Sequence, residues 1–229
     1  MLTVHHLENS RSQRVLWLLE ELGAPYEVRR YERDKKTSLA PAALTAVHPL
    51  GKSPVIEHDG FTIAETGAIV EYIIDVFDGD GRFRPEPRTP EMLTYRFWLH
   101  YAEGSAFPPL LLKLITTRMA TAPMPFFIKP IAKQLAKGVD DAFVDRQLEL
   151  HGGFIEDALS KDEWFAGDDI SGADIMMSFP IEAFMARARG GRSGAFPSMA
   201  AYLDRIHERP AYQAALDKGG PYALLGAKK

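Results

Sequence analysis

The chain contains no cysteine, and this absence excludes several kinds of chemistry. Without a thiol the chain can form no disulfide, no cysteine-ligated zinc or iron–sulfur centre, and no cysteine nucleophile. A chain without disulfides suits a reducing compartment, and we therefore expect a cytoplasmic protein. Its 229 residues are 46% hydrophobic and 25% charged, which is typical of a globular protein with one large domain or two small ones.

Basic charge and long apolar runs are also scarce. The 27 Lys and Arg residues against 31 Asp and Glu residues give a net charge of −4, so the sequence indicates no basic face for nucleic acid. The most apolar runs, residues 107–115 and 170–185, contain proline, lysine or glutamate and fall short of the ~18 apolar residues of a membrane span. The seven histidines show no metal-ligand spacing. We expect no nucleic-acid partner, no membrane span and no bound metal.

The first ~80 residues alternate between strand-like and helix-like segments, which is typical of an α/β unit. Apolar residues recur at helical spacing over residues 15–22, between strand-like residues 2–7 and 26–31. Asp59-Gly60 predicts the tight turn of a β-hairpin over residues 54–64, because this dipeptide readily adopts positive φ angles. A further helix follows and ends near residue 78.

A glycine- and proline-rich stretch over residues 79–90 indicates a linker, and everything after it has helical spacing. Ser171 and Asp174 have the spacing of a helix capping box, and the apolar run that follows them predicts a buried central helix. The sequence therefore predicts an α/β domain over residues 1–79 and an all-helical domain over residues 88–229.

The segment between the first strand and the first helix carries three polar candidates. Asn9, Ser10 and Ser12 lie where unpaired helix N–H groups and the helix dipole favour an anion. One interpretation is that a hydroxyl here donates a hydrogen bond to a bound anion. The other is that Ser10 or Ser12 only caps the helix.

Two further segments carry polar candidates of the same kind. Ser53-Pro54 precedes the hairpin and is a candidate cis peptide, whose backbone groups could pair with a peptide-like ligand; an ordinary trans proline at an edge strand is the alternative. Glu65 and Thr66 begin the helix after the hairpin, where they could bind the ammonium and carboxylate of an amino-acid head group or merely cap the helix.

The order and spacing of these signals resemble the glutathione transferase family over nearly the whole chain. The segments that look like its glutathione-binding half are Ser10 to Leu22, His48-Pro49-Leu50-Gly51-Lys52-Ser53-Pro54, and Glu65-Thr66. In the second half, Gly104-Ser105 with Pro108-Pro109, and residues 171–180, look like the bacterial and fungal branch. The resemblance implies a thioredoxin-like domain followed by an all-helical domain, a homodimer, and glutathione as co-substrate without a metal.

The resemblance also implies roles for individual residues in binding glutathione. Ser53 would bind the cysteinyl backbone beside cis-Pro54, and Lys52 would lie near the glycine end. Glu65 and Thr66 would hold the γ-glutamyl group.

The resemblance does not by itself select the residue that would face the sulfur, because many members have tyrosine or cysteine at that position. The spacing to Arg14 favours Ser10, with Asn9 as the alternative and Ser12 as a nearby binding residue. The expected activity is a serine-type transfer of glutathione to apolar electrophiles. A glutathione-dependent peroxidase or disulfide reductase without an enzyme cysteine, and a non-catalytic binding module, remain as alternatives.

The pocket for the electrophile is expected between the two domains. Phe107, Leu111, Met119 and Phe126 are candidates to line it, although aromatic and methionine residues at helical spacing are more often core. The arginines between residues 187 and 192 are expected to lie in a solvated loop.

Overall fold

The computed structural model describes residues 1–188, 194–220 and 222–225 of the chain. The strands are β1 Leu2–Leu7, β2 Tyr26–Tyr31, β3 Val55–His58 and β4 Phe61–Ala64. The helices are α1 Gln13–Leu22, α2 Ala42–Val47, α3 Thr66–Phe77, α4 Pro90–Tyr101, α5 Phe107–Thr121, α6 Lys129–Val139, α7 Asp145–Leu159, α8 Gly172–Arg187, α9 Pro197–His207 and α10 Pro210–Gly219. Single π-helical turns join α4 to α5 and α6 to α7. In the residues described, no helix has the length and apolarity needed to cross a bilayer.

The strands form one mixed sheet in the order β2-β1-β3-β4. β1 runs parallel to β2, whereas β3 runs antiparallel to both β1 and β4. The hairpin between β3 and β4 turns at Asp59 and Gly60, which both have positive φ as the sequence predicts. All four strands therefore agree with their predicted positions to within a residue.

Helix α1 lies at the centre of the molecule. It contacts β1 and α3 on one side and the helices α8 and α10 on the other. Residues 13–19 are consequently buried all round, including the polar Gln13 and Arg14. The sequence predicts one apolar face for α1. The helix is instead buried on a second face as well, because α8 and α10 cover it.

Helix α8 forms the core of the helical half, as predicted. The Ser171 hydroxyl accepts a hydrogen bond from the Ala173 N–H, and the Asp174 carboxylate accepts one from the Ser171 N–H, so the capping box is present. A Cβ on Gly172 would lie only 2.7 Å from side-chain atoms of Ile74 and Tyr95. This close approach packs the start of α8 against α3 and α4.

Two local features differ from the prediction. The segment between β2 and β3 contains the short helix α2, which the sequence analysis treats as a plain connection; only Leu44 of this helix is buried, so it has almost no apolar pattern. Helix α3 begins at Thr66, with Glu65 rather than Thr66 in the N-cap position, and the Glu65 side chain makes no capping hydrogen bond. Within this helix Val76 is exposed, whereas Val70 and Ile74 are buried.

Candidate active site

A cavity of about 560 Å³ opens between the α/β half of the chain and helices α5 and α8. Its sheet wall consists of the polar segments at the ends of β1, β3 and β4, and it contains most of the predicted site residues: Asn9, Ser10, Lys52, Ser53, Pro54, Glu65 and Thr66. Its helical wall consists of Phe107, Leu111, Leu114, Phe179 and Arg187. Of the residues predicted to bind or activate glutathione, Ser12 is the one that does not line the cavity. Among the described residues, no three His, Asp or Glu side chains gather as metal ligands.

The loop between β1 and α1 holds Ser10 in a buried hydrogen-bonded chain. The Ser10 and Ser12 hydroxyl oxygens are 2.7 Å apart, and the Ser12 oxygen lies 2.8 Å from Nδ1 of His6 on β1. The Ser12 backbone N–H also donates to the Ser10 oxygen, at 3.3 Å. Ser12 occupies the N-cap position of α1, yet its side chain makes no capping hydrogen bond. The interpretation that these hydroxyls only cap the helix is therefore wrong for Ser12.

His6 ends this chain as a buried, neutral imidazole. Burial, and next the charge of Arg30, lower its pKa to about 4, while a hydrogen bond to the Gly219 backbone raises it. We assign the ring proton to Nε2, on the side of the Gly219 backbone, which leaves Nδ1 to accept from the Ser12 hydroxyl. The Ser12 hydroxyl then donates to His6, and its oxygen is available to accept from Ser10.

Asn9 lies beside Ser10 at the mouth of the cavity. It is exposed and has a positive φ of 51°, which asparagine tolerates better than most residues. Its side-chain carbonyl accepts a hydrogen bond from the Ala223 N–H at 2.6 Å. Because this bond engages the oxygen, the amide nitrogen is the end of the side chain that remains to donate.

The segment before β3 is joined to β1 through Ser53. The Ser53 hydroxyl donates to the His5 carbonyl at 2.8 Å and accepts from the Leu7 N–H at 3.1 Å. The Ser53–Pro54 peptide bond is cis, as the sequence analysis suggests. Lys52 is exposed at the rim of the cavity. The Ser53 side chain thus fixes the loop to the sheet, and its backbone lies along the cavity.

Glu65 and Thr66 lie at the N-terminus of α3 and line the cavity. Glu65 has a positive φ of 71°, and its carbonyl accepts from the Ile69 N–H at 2.9 Å. Thr66 is buried. The first N–H groups of a helix have no intrahelical partner, so this end of α3 can bind a carboxylate while Glu65 provides a negative charge.

The helical wall is apolar where it approaches Ser10. The Phe107 and Phe179 rings lie 5.6 Å apart, and the Arg11 guanidinium lies 4.0 Å from the centre of the Phe107 ring. The prediction that Met119 and Phe126 line the pocket is wrong, since neither side chain reaches it and Phe126 is 84% exposed. Only the first turns of α5 face the cavity.

Two features of the site have no counterpart in the sequence analysis. Arg11 and Arg14 both form ion pairs with Glu103 of the π-helical turn before α5, which joins the loop after β1 to the helical half. Arg187 is the last residue of α8, is half-buried and lines the cavity, so the expectation of a solvated loop is wrong for it. The remainder of that predicted loop after Ala188, residues 189–192, lies outside the described residues.

Several known proteins are similar to this chain in sequence and in architecture. The family described as "Glutathione S-transferase, N-terminal domain" matches residues 1–75, and "Glutathione S-transferase, C-terminal domain" matches residues 116–210. The chain is 32% identical over 219 residues to Glutathione S-transferase 3 of Schizosaccharomyces pombe, covering 95% of this chain and 88% of that protein. It is 33% identical over 226 residues to Glutathione S-transferase 1 of Saccharomyces cerevisiae, covering 95% of each chain.

A solved structure agrees with these matches. The crystal structure of a glutathione S-transferase from Actinobacillus pleuropneumoniae superposes with a TM-score of 0.83 at 31% identity, covering 99% of this chain and 96% of that one. The chain belongs to the glutathione S-transferase family. The predicted family, the two-part fold and a transferase that uses glutathione are thereby confirmed, and the peroxidase, reductase and binding-module alternatives are not favoured.

Proposed function

We propose that this chain transfers glutathione to electrophiles with an apolar body, and that the Ser10 hydroxyl stabilises the reacting thiolate. The observation that carries this proposal is the position of Ser10, buried at the start of α1 on the wall of the cavity. Ser53 and Thr66 line the same cavity, and Phe107 lines it from the helical side. The protein then belongs to the serine-type members of its family and to their bacterial and fungal branch.

A hydroxyl donor at a helix N-terminus is sufficient to ionise the glutathione thiol. A free thiol has a pKa of about 8.5, and lowering it by about two units requires roughly 2.7 kcal/mol of differential stabilisation. One hydrogen bond to a charged group contributes about 1.5–3 kcal/mol, and the helix terminus adds about 0.3–1 kcal/mol. Ser10 therefore needs only to donate to the sulfur, while the thiol proton leaves to solvent.

The Ser12 oxygen and a bound thiolate compete to accept a hydrogen bond from the Ser10 hydroxyl. With the His6 ring proton assigned to Nε2, the Ser12 hydroxyl donates to His6 and its oxygen accepts from Ser10 at 2.7 Å, whereas the Ser53 oxygen is a more distant acceptor at 3.5 Å. A thiolate is a stronger acceptor than a neutral hydroxyl, so the Ser10 hydrogen turns to the sulfur when glutathione binds. The Ser12 N–H remains on the Ser10 oxygen and polarises it toward donation.

Asn9 is the alternative donor to the sulfur. Its amide nitrogen is free to donate at the cavity mouth because Ala223 engages the side-chain oxygen. A neutral amide N–H donates to a thiolate as a hydroxyl does, without taking up a proton. The two candidates are neighbours in the chain, so the position of the bound sulfur discriminates between them.

The rest of the sheet wall fits the tripeptide from end to end. We assign the γ-glutamyl ammonium to Glu65 and its carboxylate to Thr66 and the N–H groups at the start of α3. The cysteinyl backbone pairs with the Ser53 backbone beside Pro54, and the glycine carboxylate lies near Lys52.

The helical wall receives the second substrate. Phe107, Leu111 and Phe179 offer apolar surface next to Ser10. The thiolate forms a C–S bond with the electrophilic carbon, and a leaving group departs with its electron pair. In an addition, the π electron pair moves to the neighbouring carbon, which water protonates.

A crystal structure with bound glutathione tests this arrangement directly. We expect the sulfur within roughly 3.5 Å of the Ser10 oxygen, the reach of a hydrogen bond to sulfur, and the γ-glutamyl group at Glu65. A sulfur placed at the Asn9 amide instead would assign the role to Asn9. A γ-glutamyl group bound away from α3 would contradict the whole orientation.

We further propose the domain boundaries 1–79 and 88–229, a homodimer, and a cytoplasmic location. The last helix of the α/β half ends at Phe77 and the first of the helical half begins at Pro90, which supports the boundaries. Phe61, Leu93 and Phe97 are large, apolar and exposed, which supports an interface between two copies. Light scattering on the purified protein tests the dimer, and a monomer mass at micromolar concentration would contradict it.

A further inference from the structure

Two arginines line the cavity, and a third lies near both of them. Arg33, after β2, and Arg187, at the end of α8, both line the cavity. Arg118, near the end of α5, lies close enough that its charge lowers the pKa of both, although burial is the larger cause in each case. The three guanidinium groups come from distant parts of the chain, so the fold rather than a local motif brings them together.

These arginines are poorly neutralised within the described part of the chain. The guanidinium groups of Arg187 and Arg118 have no hydrogen bond or ion pair with any described residue, and the Tyr222 hydroxyl is the one group whose interaction raises the pKa of Arg187. Arg33 donates to the carbonyls of Glu8 and Ser38, which orient a guanidinium without cancelling its charge. The Glu8 carboxylate is near Arg33 alone and also binds the Arg33 backbone.

The other acidic residues near the cavity do not neutralise these arginines, because each one has another partner or is assigned to glutathione. Arg11 is paired with Glu103, and Glu65 is the only acid among the described residues that line the cavity. In the proposed binding mode, glutathione itself uses Glu65, the start of α3 and Lys52. A positive charge therefore remains at Arg187 and Arg118 after both carboxylates of the tripeptide are accounted for.

Resting on the proposed function, we propose that the electrophile carries an anionic group, such as a carboxylate, which Arg187 and Arg118 bind with Arg33 beside them. On α5, Phe107, Leu111, Leu114 and Arg118 follow one another at helical spacing, so the apolar stripe leads to the arginine. On α8, Phe179 precedes Arg187 by about 12 Å of helix. The acceptor is thus an elongated molecule whose apolar part lies against Phe107 and Phe179, with an anionic group about 12 Å further along α8.

The test uses two aryl enones that differ at one group. Both have the reactive enone at one end, and the other end is a carboxylate in the first and its methyl ester in the second. The thiolate adds to the β-carbon, the π electron pair moves to the α-carbon, and water protonates that carbon. We expect the wild-type enzyme to favour the acid in kcat/KM, and added salt to weaken that preference.

Substitutions of the arginines then test which side chains cause the preference for the acid over the ester. Arg187→Gln and Arg118→Gln should each lower kcat/KM for the acid roughly five- to tenfold, the low end for a hydrogen bond to a charged group at a partly open site, and leave the ester unchanged. Arg187→Lys should restore part of the loss. Arg84→Gln is the matched control, because Arg84 is exposed and paired with Asp75 outside the cavity.

Three results would overturn the inference: no preference for the acid, equal losses on acid and ester, or a raised KM for glutathione in the arginine variants. The last would assign the arginines to the glycine end of the tripeptide. If the enzyme binds glutathione but transfers it to neither enone, the proposed transfer to such acceptors fails. Calorimetry with the saturated, unreactive acid and ester then still decides the arginine site, because only that site predicts tighter binding of the acid that Arg187→Gln abolishes.

Discussion

The two walls of the cavity are built in different ways. The sheet wall consists of chain ends: Ser10 follows β1, Ser53 precedes β3, and Glu65 follows β4. The helical wall consists of side chains on the faces of two long helices, from Phe107 to Arg187. The sheet wall presents backbone groups and short polar side chains in fixed positions, and the helical wall presents bulky side chains that differ easily without disturbing a turn.

In the proposed binding mode, this difference assigns each wall to one substrate. Backbone N–H groups at helix and strand ends recognise a peptide by its own backbone and termini, which suits an invariant tripeptide. Packed side chains recognise volume and charge, which suits the acceptor. The ion pairs of Arg11 and Arg14 with Glu103 join the two walls and fix their relative position.

The largest expected effect comes from replacing Asp174, which stabilises the start of α8 and with it the helical wall. Asp174 is fully buried at the start of α8 and accepts hydrogen bonds from the Phe165 and Ser171 N–H groups at 3.1 and 2.9 Å. In Asp174→Ala these donors lose their partner, so the free energy of unfolding should fall by about 3–4 kcal/mol, as measured in urea. Asp169→Ala, a change at an exposed neighbour, should cost less than about 0.5 kcal/mol. A similar loss at both positions would contradict the role of the capping box.

The sheet wall should respond to substitution through glutathione alone. In Glu65→Ala the γ-glutamyl ammonium loses its carboxylate, so KM for glutathione should rise roughly ten- to a hundredfold, while KM for the acceptor stays the same. Glu71→Ala is the control, because Glu71 lies on the exposed side of the same helix. An unchanged KM for glutathione in Glu65→Ala would contradict the proposed binding of the γ-glutamyl ammonium by Glu65.

Acid should stabilise the helical half through the same Asp174. Burial raises the pKa of its carboxyl to about 6, although the hydrogen bonds it accepts act against this rise. The native state therefore binds this proton more tightly than the unfolded state, and its contribution to stability is present below pH ~4 and lost as the pH rises through ~6. From pH 7 to pH 5 the stability of the wild type relative to Asp174→Asn should increase by about 1 kcal/mol in urea titrations. A difference independent of pH would show that Asp174 is not protonated in this range.

The smallest effect concerns the apolar part of the helical wall. Phe107→Ala removes a half-buried ring beside Ser10, so KM for an apolar acceptor should rise roughly three- to tenfold with KM for glutathione unchanged. Leu112→Ala, on the same helix but outside the cavity, is the matched control. If glutathione affinity fell instead, the two walls would not be separable as described.

Local sequence patterns predicted the sheet wall well because its residues lie next to turn and helix-start signals. Asp59-Gly60 fixes the hairpin, and the hairpin in turn places Ser53 and Glu65 on either side of it. The hydrogen bond between Ser12 and His6 could not be predicted in this way, because it depends on which face of β1 the loop folds against. The short helix α2 was missed because it buries only one apolar residue.

The helical wall was predicted only in part for a different reason. Phe107 and Leu111 are predicted from their place early in the helical half, but helical spacing alone cannot exclude Phe126. Arg11 and Glu103 are 92 residues apart in sequence, and nothing local to either indicates the pair. Arg187 was assigned to a loop because the glycines after it are a loop signal, whereas packing extends α8 as far as this residue.

The ionisation of bound glutathione tests the central claim most directly. The ultraviolet absorbance of the thiolate, titrated with pH in the saturated complex, gives the thiol pKa in the wild type and in Ser10→Ala and Asn9→Ala. We expect Ser10→Ala to raise that pKa by about one to two units, equivalent to the loss of one hydrogen bond to a charged acceptor, and Asn9→Ala to change it by less than half a unit. An unchanged pKa in Ser10→Ala, with the rise appearing in Asn9→Ala, would contradict the account.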